Sequence, residues 1–292
     1  MKKIFALLLA MTLICGVAFA LDGLAVGAEY RIWNFDPGDD IDLSTQMMMR
    51  LGVHYEGAFL DEALELEGEL GFYMINFDDM TNDLDIEIEA RYNLDLSPAS
   101  RLTFILNSYT LIPFEDDFEV ESWMTLGAKY KQEFGFGDMY FQVDVPFNLF
   151  DGYDPGFDAF DFVDLNFTIS LFNERKDWGK VVDFPDGFGA ELVMYNELAV
   201  PDPFEADFLQ HLNITPFYSM NFWYAELEIG LPLYEDGMDF EGMFIKPKFE
   251  MDIPPVDGLS FWLDLPIRGL AADSDIFGDP VIGIGLGVNY NF

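Results

Sequence analysis

From Leu84 to Leu94 every even position is apolar or aromatic and every odd position is polar or charged: Leu84-Asp85-Ile86-Glu87-Ile88-Glu89-Ala90-Arg91-Tyr92-Asn93-Leu94. A period of two belongs to the β-strand, whose successive side chains point to opposite faces, and to no other regular element. The alternation returns in Leu64-Glu65-Leu66-Glu67-Gly68-Glu69-Leu70, in Ala225-Glu226-Leu227-Glu228-Ile229 and in Leu259-Ser260-Phe261-Trp262-Leu263-Asp264-Leu265. Each such strand has one greasy face and one ionic face. Beyond residue 20, Asp or Glu interrupts every apolar stretch before it reaches the roughly 18 residues of a membrane helix.

Composition narrows the class. With 14 Lys plus Arg against 54 Asp plus Glu, the formal net charge is -40, the wrong sign for a nucleic-acid binder. Disorder is excluded too, because 31 Phe, 13 Tyr and 5 Trp offer far more surface to bury than a disordered chain carries. Lys2 and Lys3, the apolar run Ile4 to Ile14 and then Ala18-Phe19-Ala20 read as a secretory signal peptide, with residues 1–20 cleaved and 21–292 forming a single domain. The competing lipoprotein anchor at Cys15 requires a small residue before it, where this chain has Ile14. Cleavage after Ala20 leaves 272 residues without cysteine, so neither disulfides nor a thiol nucleophile enter.

Segments of roughly ten residues separated by turn chemistry number fourteen, with twelve and sixteen also compatible. They centre on 24–33, 46–56, 64–76, 84–95, 102–112, 120–131, 139–149, 162–172, 189–199, 209–218, 222–233, 243–253, 259–267 and 280–292. Asn173 to Gly187 fits the pattern worst. Short turns (Ser97 to Ser100, Ser219 to Asn221, Pro254 to Gly258) follow even segments. Longer acidic connections follow odd ones: Asp36 to Asp40, Asp78 to Asp83, Glu115 to Asp117, Asp151 to Asp161, Pro201 to Asp207, Glu235 to Glu241 and Ala271 to Asp279. Short turns on one rim and long loops on the other predict a closed antiparallel transmembrane up-and-down β-barrel. Closure is required because an open sheet edge in hydrocarbon leaves backbone groups unpaired. A water-soluble β-sandwich is the alternative that the alternation alone permits.

At the C-terminus Ile282, Ile284, Leu286, Val288, Tyr290 and Phe292 alternate with Gly283, Gly285, Gly287, Asn289 and Asn291, and the sequence stops on the aromatic. This resembles the terminal strand of bacterial outer-membrane β-barrel, porin-like proteins. The resemblance implies the bacterial outer membrane as location, with its lipids, periplasmic chaperones and the barrel assembly machinery as partners. Ile284, Leu286, Val288, Tyr290 and Phe292 would then be the assembly signal. With both termini periplasmic, Tyr55, Tyr92, Tyr130, Trp223 and Tyr290 fall near the inner rim with outward parity, as an aromatic girdle requires.

Inward parity places seventeen acids in the lumen. On the first four strands these are Glu29, Glu56, Glu65, Glu67, Glu69, Asp85, Glu87, Glu89 and Asp95. Glu121, Asp144, Asp164, Glu226, Glu228, Glu250, Asp252 and Asp264 complete the set. Seven bases oppose them: Arg31, Arg50, Arg91, Lys129, Lys131, Lys246 and Lys248. So many charges demand water, since burying unpaired ions in a dry interior costs too much. A barrel of fourteen strands lies between the roughly eight that side chains fill and the sixteen that enclose a channel. The expectation is a porin-like channel for passive passage of small hydrophilic solutes, cationic or neutral, favouring cations. The runner-up is a non-transporting structural or surface-exposed barrel.

Catalysis finds little support. His54 and His211 fall near opposite rims, and His211 with Asp207, Glu205 or Asp202 is the one rim constellation for a hydrolase, without a positioned nucleophile. No cofactor is expected. The acidic loops could bind Ca²⁺ or Mg²⁺ weakly, bridging to anionic lipid head groups, although Asp151 to Asp158 lacks the spacing of an EF-hand loop.

Overall fold

The computed structural model describes residues 24–35, 47–60, 63–75, 81–113, 120–151, 154–159, 162–173, 175, 187–199, 208–220, 222–234, 237–238, 243–253, 256, 258–268 and 281–291. Fourteen barrel strands run through them. The first half comprises β1 (Leu24–Phe35), β2 (Met47–Phe59), β3 (Leu64–Ile75), β4 (Thr81–Ser97), β5 (Ser100–Pro113), β6 (Glu121–Phe134) and β7 (Gly137–Asp151). The second half comprises β8 (Phe162–Leu171), β9 (Gly187–Ala199), β10 (Phe208–Met220), β11 (Trp223–Tyr234), β12 (Phe244–Asp252), β13 (Leu259–Asp264, resuming at Ile267–Arg268) and β14 (Val281–Asn291). Each strand pairs antiparallel with the next, and β14 pairs back onto β1 from Ala25↔Asn291 to Ile32↔Ile284, so no barrel strand is left as an edge.

The fourteen expected segments and the closing seam are all present. Two connections differ from expectation. Within Asp151 to Asp161, read as a loop, Asp154–Ala159 is an extended arm folded back on β7, with Phe147↔Ala159 and Asn148↔Asp158 paired. Gly237–Met238 likewise pairs with the end of β11. Pro155 and Gly156 interrupt the alternation there, so hairpin extensions beyond the barrel wall leave no period-two signal. The break in β13 at Leu265 and Pro266 has a chemical cause. Leu265 N–H donates to the Pro247 carbonyl at 3.0 Å, but neither proline has an N–H to give. Pairing to β12 and β14 resumes in the same register beyond it.

The alternation sorts side chains as an inverted globule. Ile88, Leu106, Leu126 and Phe141 lie exposed on the outer face, with Ile88 at 57%. Asp85, Glu226, Glu250 and Asp264, each at most 5% exposed, lie inside. Only Phe217 and Tyr224 form a buried apolar cluster among the described residues. Tyr92 stands exposed on the outer face, and Trp223 stacks there on Phe249 at 6.3 Å.

Candidate functional site

The interior is built by neighbouring strands reaching over one another. Arg50 of β2 donates to Asp85 of β4 at 3.1 Å and pairs with Glu69 of β3, while its guanidinium lies 5.2 Å from the Tyr73 ring. The route crosses Gly71, where a Cβ would stand 2.7 Å from Arg50 Nε and overlap the Asp85 carboxylate. One layer nearer the short-turn rim, Arg91 pairs with Glu89 and with Glu67 at 3.2 Å, and His54 Nε2 stands 3.7 Å from Glu67. Asn107 donates to Glu87 at 2.7 Å and to Glu89 at 3.3 Å, and Asn93 donates to Glu65 at 2.8 Å. Arg50 and Arg91 therefore join the β3 and β4 acids in a ladder on one side of the wall. Arg31 of β1 stands apart from that ladder, pairing with Glu29 at 2.7 Å and approaching the Trp262 ring at 5.6 Å.

Other charged residues of the expected set meet in separate groups, while Asp95 pairs with Arg101 at 2.7 Å at the exposed short-turn rim. Lys129 and Lys131 flank the Tyr140 ring at 4.5 and 5.6 Å, and Lys131 reaches Asp138 at 2.9 Å. Asp144 accepts from Gln142 at 2.6 Å and lies over Gly127; Asp164 is its cross-strand neighbour on β8. On β12, Lys246 stands opposite Glu228 and 3.9 Å from Asp264, Lys248 opposite Glu226, and Glu250 between Tyr224 and Trp262; Asp252 faces Ser260. The inner glycines of β14 form a flat floor, with the Trp262 ring over Gly287 and the Asp264 carboxylate over Gly285. Between these groups lies a cavity of about 220 Å³ touched by Arg31, Arg50, Glu69, Lys248 and Trp262. A smaller one of about 100 Å³ lies among Glu67, Glu69, Glu87, Glu89 and Arg91.

One group was not foreseen. Arg175, in the connection between β8 and β9, places its guanidinium inside the barrel, where Nε and Nη2 hold Glu226 at 2.9 and 2.8 Å. Glu191 of β9 and Glu228 each stand at 3.3 Å. Burial disfavours its charge, yet the hydrogen bonds and fields of Glu226, Glu191 and Glu228 outweigh that and raise its pKa above the ordinary arginine value. Arg175 follows Asn173 and Glu174 in a polar stretch that fits no strand, so face parity says nothing about it. Glu191 lies in Ala190 to Tyr195, where both faces carry apolar residues and parity blurs.

His54 on β2 and His211 on β10 are not brought together: His211 faces Tyr195 and Pro232 across its ladder. Asp202, Glu205 and Asp207 lie outside the described residues, as do most residues of the acidic connections considered for Ca²⁺ or Mg²⁺. Of the terminal-strand signal, Leu286 and Val288 are exposed on the outer face at 37% and 40%, Ile284 and Tyr290 share their parity, and Phe292 lies outside the described residues.

No protein-family model and no curated protein matches the chain. Among solved structures, the outer membrane protein Omp33 of Acinetobacter baumannii is similar over 93% of this chain and 98% of its own, at 8% sequence identity and a TM-score of 0.50. The chain has the fold of a bacterial outer-membrane barrel. Looser likenesses run to the outer membrane channel DcaP of the same organism (13% identity, 92% of this chain and 96% of that one, TM-score 0.45). KdgM porin is similar at 8% identity over 92% of this chain and 99% of its own, with a TM-score of 0.44.

Proposed function

We propose that the mature chain is a porin-like channel of the bacterial outer membrane that passes small hydrophilic solutes and favours cations. The inversion of faces carries this reading. Ile88, at 57% exposure, is one of many large apolar residues directed outward around the wall, while the charged residues turn inward. An apolar belt of that extent is a liability in water and an asset in lipid. Interior ions need water, and the acids outnumber the bases there, so the fixed field attracts cations. Arg31, Arg50, Arg91, Lys129, Lys131, Lys246 and Lys248 offset part of that excess along the channel wall. In the same reading the signal peptide directs export, and the barrel assembly machinery reads the terminal strand.

The refolded mature chain in a planar bilayer tests the proposal. Unit conductance steps and a reversal potential of cationic sign in a KCl gradient are expected. Anion selectivity would remove the charge argument. Silence would favour the second reading, a structural barrel, which draws support from the ion pairs that Arg50, Arg91 and Arg175 make along the inner wall. No enzymatic step is proposed.

A further inference from the structure

The Arg175 group has the make-up of a ligand site whose ligand comes from the chain itself. Glu226 presents both carboxylate oxygens to one guanidinium as a two-pronged fork, at 2.9 Å to Nε and 2.8 Å to Nη2. That geometry suits a planar guanidinium and not a point-charge ammonium. Glu191 and Glu228 close on the same cation from β9 and β11, each at 3.3 Å. Between Glu191 and Glu228 the strand β10 carries small residues, Thr215 opposite Glu191 and Asn213 donating to Glu228 at 2.9 Å, with Phe217 opposite Glu226.

Those two β10 residues provide an independent observation. Thr215 is 0% exposed and Asn213 8%, and neither Thr215 Oγ1 nor Asn213 Oδ1 has a hydrogen-bond partner among the described residues. Buried polar oxygens are ordinarily satisfied, so two unsatisfied acceptors beside three carboxylates give the cluster acceptors for further N–H donors. Three carboxylates converge on the one guanidinium that Arg175 brings. Lys246 and Lys248 lie opposite Glu228 and Glu226, but Glu250 and Asp264 restore the acidic excess on the same stretch of wall.

We propose that Glu191, Glu226 and Glu228, with Asn213 and Thr215 between them, form a recognition site for guanidinium-bearing solutes, and that Arg175 is its resident competitor. The proposal rests on the channel reading and narrows it. The favoured cations carry a planar, multi-donor head, and each exchanges with Arg175 as it passes.

Methylguanidinium, the Arg175 head group as a free ion, is the probe, and tetramethylammonium, with the same charge and no donors, is the control. Calorimetry on the refolded barrel in detergent reads the site whether or not the barrel conducts. Arg175→Gln is expected to bind methylguanidinium about tenfold more tightly than wild type, the scale of one charge-assisted hydrogen-bonding partner removed from competition. Adding Glu226→Gln should abolish the gain, and tetramethylammonium should show none. In bilayers, methylguanidinium should reduce the Arg175→Gln current at correspondingly lower concentration than the wild-type current. Binding without conductance leaves the site and removes the channel reading. Conductance with equal methylguanidinium binding by wild type and Arg175→Gln overturns the site, as does an equal gain with tetramethylammonium. Should Arg175→Gln fail to refold alone, refolding with methylguanidinium is expected to restore the heat-modifiable barrel, and failure of that rescue overturns the proposal.

Discussion

Gly71 shows what a single residue decides in this interior. Arg50 and Asp85 belong to the strands on either side of β3 and meet at 3.1 Å by crossing its bare backbone. A Cβ there would press on Arg50 Nη2 at 2.8 Å and on the Asp85 carboxylate, and Asp85 at 3% exposure has little room to retreat. Gly71→Val is therefore expected to cost about 1–3 kcal/mol, the ordinary cost of overpacking. Gly135→Ala, where a Cβ meets nothing within 4 Å, should stay within about 0.5 kcal/mol. Urea titrations of the refolded variants check both, and equal losses would show that the pair does not depend on the bare crossing. Parity alone identified the inner face of Arg50 and Asp85. Their meeting was not legible, because it depends on register between strands and on which glycine lies beneath.

At the scale of a strand, Ile88 and Glu87 are neighbours on β4 that face opposite solvents. Ile88 is 57% exposed on the outer face, whereas Glu87 turns inward and accepts from Asn107. Ile88→Arg is expected to destabilise the barrel in lipid by roughly 2 to 4 kcal/mol, the cost of a basic residue near the bilayer midplane. Glu87→Arg, directed into a wet acidic interior, should cost much less. Refolding titrations in lipid vesicles compare them, and equal behaviour would contradict the face assignment. The strands were legible because a period of two is imposed by backbone geometry and survives any choice of partner. What followed other rules was not. The arm Asp154–Ala159 extends a hairpin beyond the wall with Pro155 and Gly156 in it, and Arg175 enters the barrel from a stretch with no period at all. The Gly283, Gly285 and Gly287 alternation marked an inner face, but its use as a floor for Trp262 depends on the neighbouring strand.

For the whole molecule, closure and charge are linked, because the seam between β1 and β14 makes a ring from strands such as β3 and β4, whose acids at Glu65, Glu67, Glu69, Asp85, Glu87 and Glu89 share one face. If the terminal strand guides that closure in the cell, Phe292→Ser should reduce the yield of heat-modifiable barrel in the outer membrane without reducing export across the inner membrane. Normal yields would detach assembly from the terminal aromatic. In the proposed channel, the closed ring would focus its fixed charge into a confined aqueous path. Glu67 and Glu89 share Arg91, Glu69 shares Arg50, and Glu87 leans on the neutral Asn107. Neutralising Glu67, Glu69, Glu87 and Glu89 to Gln together removes four negative charges, while Arg50 keeps Asp85 and Arg91 keeps Glu65 opposite it. The reversal potential in a KCl gradient should therefore move toward zero. Screening sets the range of this field at about 8 to 10 Å near physiological salt, so wild-type selectivity should be strong in dilute KCl and weaken toward roughly 1 M, where that range falls to about 3 Å. Selectivity unchanged by the four substitutions and by salt would place its origin in loop geometry instead of in the ladder on β3 and β4.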